Sequence, residues 1–155
     1  MTKETKESAF RIRLAEGFLQ EARQDFDLER WRSCVDNSQL ATENAAKAVL
    51  ALLGPLSRTH SPAPLLRAGL DGNDFPDSQR ADIAALAECA EMLGPDVHSR
   101  SDYGDEIGGL TPWQLFRRDD AAEALAWAER ALSLAAGLAI DTTGASPEDS
   151  PSQAM

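Results

Sequence analysis

Apolar residues return every three or four positions along most of this chain, and the stretches that carry the pattern are separated by Gly, Pro and Asp clusters. This periodicity predicts an all-α fold, an antiparallel up-and-down helical bundle of four long helices plus one or two short ones. A first helix is expected from about Glu7 to Phe26, with Phe10, Leu14, Phe18 and Ala22 forming its inner stripe and Leu19 and Phe26 widening it. After a short connection, Asp27 to Arg30, a second helix is expected from Trp31 to Leu53. Its face Trp31, Val35, Ser38, Thr42, Ala45, Val49 and Leu52 is small in the middle, which lets another helix approach closely. Gly54-Pro55 ends it.

Ser61-Pro62 reads as an N-cap with proline at the first helical position, opening a short helix that carries Leu65, Leu66 and Leu70. His60, just ahead of it, is expected to be a local helix-entry residue. A helix from Gln79 to Leu93 should turn Ile83, Leu86, Ala87, Ala90 and Leu93 inward, with Gly94-Pro95 as its stop. Pro95 to Thr111 is the one long segment without helical periodicity, so it reads as a loop and as the place where function should lie. Thr111-Pro112 then opens a single helical turn with Trp113 and Phe116.

The last long helix runs from Asp119 or Asp120 to Ile140, with Leu125, Ala128, Leu132, Ala135 and Ala139 on one face and Trp127, Ala131, Leu134 and Leu138 broadening it. A helix so widely apolar is either central in the bundle or meets a partner chain on one side. The expected organisation is one domain over residues 1–140 and a polar, Pro-rich, disordered tail over 141–155.

Composition narrows the function. A net charge of −11 repels a phosphate backbone and makes a broad nucleic-acid-binding face an unfavourable expectation, though it leaves room for a local basic pocket. Cys34 and Cys89 match no metal or disulfide spacing and read as buried free thiols of a cytoplasmic protein. The polar N-terminus carries no signal core, and no apolar run is long enough for a membrane span.

Two polar sets stand out. Gln39, Glu43 and Lys47 recur every four residues on the second helix. They read either as a polar pocket or, taken alone, as a solvated face with an ordinary Glu–Lys pair. His98 and Arg100 with Asp102, Tyr103, Asp105 and Glu106 form the densest polar cluster. Arg100 offers a guanidinium fork to a phosphate, and Tyr103 a ring for stacking or a hydroxyl donor; otherwise these charges simply face water. The two histidines are too far apart to suggest a metal site, and Asp96, Asp102, Asp105 and Glu106 match no calcium-loop spacing. No metal or cofactor is expected.

The order of these features resembles the HEPN family of small α-helical bundles over roughly residues 8 to 140. The resemblance rests on the aromatic-led second helix from Trp31 with its Gln39-x-x-x-Glu43-x-x-x-Lys47 spacing, on His60 before a Leu-Leu helix, on Ser99-Arg100-Ser101-Asp102-Tyr103-Gly104-Asp105-Glu106, and on the Asp-Ala-Ala-Glu-Ala-Leu start of the last helix. It implies a bundle that commonly dimerises around a cleft, often encoded beside a small nucleotidyltransferase and acting in toxin–antitoxin or defence systems.

The resemblance implies that active members are metal-independent endoribonucleases, with an Arg and a His separated by four to six intervening residues. Here those positions after Arg100 hold Asp105, Glu106 and Ile107, His98 precedes Arg100, and Arg58 lies only two residues from His60. Metal-free RNA cleavage needs a group that moves protons near neutral pH. The expectation is therefore a binding or regulatory module that holds a nucleotide or RNA phosphate, or pairs with a nucleotidyltransferase, through Arg100, Asp102, Tyr103, Gln39, Glu43 and Lys47. The alternatives are a ribonuclease using Arg100 with His98 or Tyr103, and a ligand-free helical scaffold.

Overall fold

The computed structural model describes residues 2–54, 59 and 61–143, with side chains described as far as residue 140. The chain is all-α, and among the described residues the only β-type pairing is an isolated antiparallel bridge between Asp105 and Leu110. His60 and Arg58 lie outside the described residues, as does the chain from residue 144 onward.

Helix α1 spans Lys3–Asp27 and starts at Thr2, whose hydroxyl accepts from the Thr5 amide at 3.1 Å. Helix α2 spans Trp31–Leu50 and finishes in a 3₁₀ turn over Ala51–Leu53. Helices α3 (Pro62–Asp71) and α4 (Arg80–Met92) follow. Helix α5 (Pro95–Tyr103) and the single turn α6 (Pro112–Leu115) lead into α7 (Arg118–Thr143). Helix α7 thus continues three residues past the expected end at Ile140.

The centre of the molecule is α2, which packs on both α1 and α7. From Ser38 to Leu50 every residue except Leu40 is buried. The last helix is therefore not the central one. It lays a seam of Ala121, Ala124, Ala128, Ala131, Ala135 and Leu138 against the core, and the Leu125, Trp127, Leu132 and Leu134 side chains flank that seam half-buried.

The same rotation occurs in α1. Its buried face is Ser8, Ala15, Leu19, Ala22 and Asp25, while Phe10 is exposed and Leu14 and Phe18 lie at the margin. Both stripes turn from the bulkiest residues towards the smallest because α2 presents Ala41, Ala45 and Ala48 at its contacts. Helices close together there only if alanine meets alanine, and large side chains then fill the flanks.

Helix α4 buries Ile83, Leu86, Ala87, Ala90 and, just past its end, Leu93, as its periodicity predicts. Helix α3 buries Leu66 and Leu70 and leaves Leu65 outside. Gly69 has no side chain because the Phe75 ring sits where its Cβ would be, 2.6 Å from Cε2.

Candidate functional site

The segment from Pro95 to Thr111 is a helix for its first half, not a loop. Pro95 occupies a first-turn position where no amide partner is needed, and Gly104, at φ +77°, ends the helix. The sequence shows no apolar stripe there because α5 meets α2 mainly through polar groups. Ser101 is fully buried, with Val97 and His98 half-buried beside it.

Those groups form a network with two residues of α2 that the sequence reading did not single out, Arg32 and Asp36. Arg32 Nη1 donates to the Ser101 carbonyl at 2.9 Å and lies 3.9 Å from Asp36 Oδ2 and 3.7 Å from Asp102 Oδ1. The Ser101 hydroxyl contacts the His98 carbonyl at 2.9 Å and Asp36 Oδ1 at 3.1 Å. His98 sits between the carboxylates, Nδ1 3.4 Å from Asp36 Oδ1 and Nε2 3.5 Å from Asp102 Oδ2. Exposed Trp113 of α6 stacks on the Arg32 guanidinium, 5.7 Å from the ring centroid.

Arg100 and Tyr103 face the other way. Two residues along a helix turn the side chain by about 200°, so Arg100 points away from His98 and from α2. Arg100 is exposed and Tyr103 is 73% exposed. Neither side chain makes a hydrogen bond, ion pair or ring contact with the described residues.

After Gly104 the backbone folds back tightly. Asp105 and Leu110 exchange amide–carbonyl hydrogen bonds of 2.8 and 2.9 Å, and the Asp105 side chain accepts from the Gly108 amide at 2.9 Å. Ile107 stands fully exposed at the tip. A reciprocal cap between Thr111 and Gln114 starts α6.

The Gln39, Glu43 and Lys47 set is not a solvated face. Gln39 is 1% exposed, Glu43 6% and Lys47 8%, with Lys47 Nζ 3.5 Å from Glu43 Oε2. The i,i+4 spacing alone suggested water because most such pairs lie on surfaces. Here α2 is enclosed nearly all round, and Glu43 and Lys47 are buried as an opposite-charge pair. No hydrogen bond or ion pair joins Arg100 or Tyr103 to Gln39, Glu43 or Lys47. The expected residues therefore divide into a buried pair inside α2, a network between α2 and α5, and an outward face on α5.

Arg32, Asp36, Gln39, Glu43 and Lys47 follow one another in steps of four, three, four and four, so they share one face of α2. That run was a legible signal for Arg32 and Asp36. A separate shallow cavity of about 320 Å³ lies where α1 turns into α2, lined by Phe26, Asp27, Leu28, Glu29, Trp31 and Arg118. The Arg118 guanidinium caps the Phe26 and Trp31 rings there at 5.5 and 5.7 Å.

Cys34 and Cys89 are buried and unbridged. Burial pushes the Cys34 thiol up to about 11 and raises that of Cys89 as well. Among the described residues no helix is long and apolar enough to cross a membrane.

The profile of the HEPN domain matches residues 8–138. A solved structure, TT1696 from Thermus thermophilus, superposes with a TM-score of 0.61 at 19% identity, over 84% of this chain and 97% of that one. At that identity the likeness is one of fold. No curated protein matches the sequence.

Proposed function

The chain belongs to the HEPN domain family, and from that premise we propose that it is a binding or regulatory module rather than a nuclease. It acts as a homodimer, taking the phosphate of a nucleotide or RNA, or the surface of a nucleotidyltransferase partner, on the outward face of α5. Arg100 supplies the charged fork and Tyr103, its i+3 neighbour on the helix, the stacking ring or hydroxyl, with Asp102 at the edge of the same helix. Glu43, Lys47 and Gln39 act behind this face, stiffening the helix on which α5 rests. A toxin–antitoxin or defence setting fits this reading through the family.

One observation carries the proposal. Arg100 and Tyr103 project to solvent without a partner among the described residues, while His98 is turned into the network with Asp36 and Asp102. An arginine and a histidine on opposite sides of one short helix do not meet at one phosphate within a chain. Within one chain, Arg100 therefore has no histidine beside it to move the proton. The charge of −11 favours a compact phosphate or a protein partner over a long RNA tract.

Purified protein is incubated with RNA, and nucleotide binding is titrated in parallel, for wild type and Arg100→Ala. The expected result is no cleavage by either protein and a loss of nucleotide affinity of about tenfold or more in the variant. Cleavage by wild type that disappears in Arg100→Ala would establish the ribonuclease alternative. Unchanged behaviour in a double Arg100→Ala, Tyr103→Ala variant would leave only the scaffold.

A further inference from the structure

The network between α2 and α5 has features that packing alone does not require. Asp36, His98 and Asp102 each offer one donor atom, and the three atoms lie within 4.8 Å of one another. We propose that these residues form a binding site for one divalent transition-metal cation of the zinc, cobalt or nickel type, which clamps α5 to α2.

The charge balance comes first. Two carboxylates converge on one imidazole, and among the described residues Arg32 compensates them loosely. Arg32 Nη1 is committed to the Ser101 carbonyl at 2.9 Å and stays 3.9 and 3.7 Å from the carboxylates. It approaches Asp36 Oδ2 and Asp102 Oδ1, whereas His98 faces Asp36 Oδ1 and Asp102 Oδ2. The oxygens on the imidazole side keep lone pairs for a cation, although Asp36 Oδ1 also accepts from the Ser101 hydroxyl at 3.1 Å. Among the described residues the cluster sets two carboxylates against one guanidinium, in a chain whose own net charge is −11.

Geometry agrees with the chemistry. A metal–donor bond of about 2.0–2.2 Å puts two tetrahedral ligand atoms roughly 3.4 Å apart. His98 Nδ1 to Asp36 Oδ1 is 3.4 Å and Nε2 to Asp102 Oδ2 is 3.5 Å. Each ring nitrogen thus meets that separation with one carboxylate, while one donor atom from each of the three residues falls within 4.8 Å of the other two. The two distances involve different ring nitrogens, so one cation takes a single nitrogen and draws the farther carboxylate in by a side-chain movement.

His98 and Asp102 are i,i+4 neighbours on one helix and Asp36 comes from the helix it packs on, so three protein ligands come from two rigid elements. The side chains of Asp36, His98 and Asp102 are 21, 38 and 34% exposed, so a cation can enter from solvent and a water can serve as a fourth ligand. One imidazole with two carboxylates selects borderline transition metals over calcium or magnesium, which favour all-oxygen shells. The Ser101 hydroxyl against Asp36 Oδ1 at 3.1 Å, and Arg32 on the outer oxygens, would orient the ligands from behind.

The full chain, stripped with a chelator and dialysed, is titrated with zinc chloride by calorimetry, and cobalt(II) absorption reports the coordination. Wild type should bind one equivalent and gain thermal stability, with intense tetrahedral cobalt bands. His98→Gln and Asp102→Asn should each weaken binding at least tenfold while keeping the wild-type helical circular dichroism, whereas Arg100→Ala should bind metal like wild type. Because Arg100 lies outside this cluster, a failure here and a failure of the phosphate-binding reading are separable. Absence of a stoichiometric site in wild type, or His98→Gln binding as tightly as wild type, overturns the proposal. Calcium binding as tightly as zinc would overturn the assignment of metal class.

Discussion

Cys34 shows how one buried atom couples the chain to pH. Its thiol lies against the α7 backbone, Sγ 3.7 Å from the Ala121 carbonyl, with no exposed surface. Burial, partly offset by Ser38 and reinforced by the Asp25 charge, raises its pKa to about 11. Below about pH 9 both folded and unfolded chains keep the proton. Between about pH 9 and 11 only the unfolded chain gives it up, so stability falls through that window by about 3 kcal/mol at most. Denaturant titrations at pH 8 and pH 11 of wild type and Cys34→Ala should show a steeper loss in wild type. Native Cys34 should also resist iodoacetamide at pH 8 and react once the chain is unfolded.

Lys47 makes a second case at this scale. Its ammonium faces Glu43 at 3.5 Å where both residues are under a tenth exposed. Removing one partner of such a pair costs more than removing both, because the remaining charge stays in a poorly solvated place. Lys47→Met should destabilise the protein by about 3 kcal/mol, and adding Glu43→Gln should return part of that loss, read from urea midpoints.

Between elements, the contact that sets the fold is the alanine seam of α7 on α2. Ala128 is fully buried in that seam, with Ala124 and Ala131 beside it. Ala128→Leu lowers helix propensity only slightly but forces two closely spaced helices apart. A loss of about 1–3 kcal/mol or more is expected. The neighbouring exposed positions Ala122 and Ala126 should accept leucine with changes below about 0.5 kcal/mol. Thermal melts of the three variants measure the contrast.

Helix α5 follows a different logic. Its hold on α2 is polar, through Ser101, His98 and Asp102 to Arg32 and Asp36. That is why the 3.6-residue apolar rhythm failed to announce it and why Pro95 and Gly104 were its only local marks.

For the whole molecule, the apolar residues left over by the alanine seams matter. Leu125, Trp127, Leu132 and Leu134 remain half-buried on α7, and Ile107 and Trp113 project near α5. Together with the family membership, they support the homodimer of the proposed function. Sedimentation equilibrium at micromolar concentration should give twice the 16.7 kDa chain mass. A monomer at that concentration would count against the homodimer.

Much of this protein was written locally. Helix starts at Pro62 and Thr111, stops at Gly54 and Gly94, and the inward face of α4 follow from caps, breakers and a period of 3.6, which act within a turn or two of chain. The order of its motifs was enough to place it beside the HEPN family.

What the sequence could not decide is how far each helix rotates and which polar residues end up enclosed. Phe10 and Phe18 outrank Ala15 in hydrophobicity, yet Ala15 is buried, because the choice is made by how closely α2 approaches. Asp36 and His98 lie sixty-two positions apart and meet only because α5 docks on α2. Periodicity is a property of one segment, whereas close approach and charge pairing belong to two, and only the tertiary structure holds both.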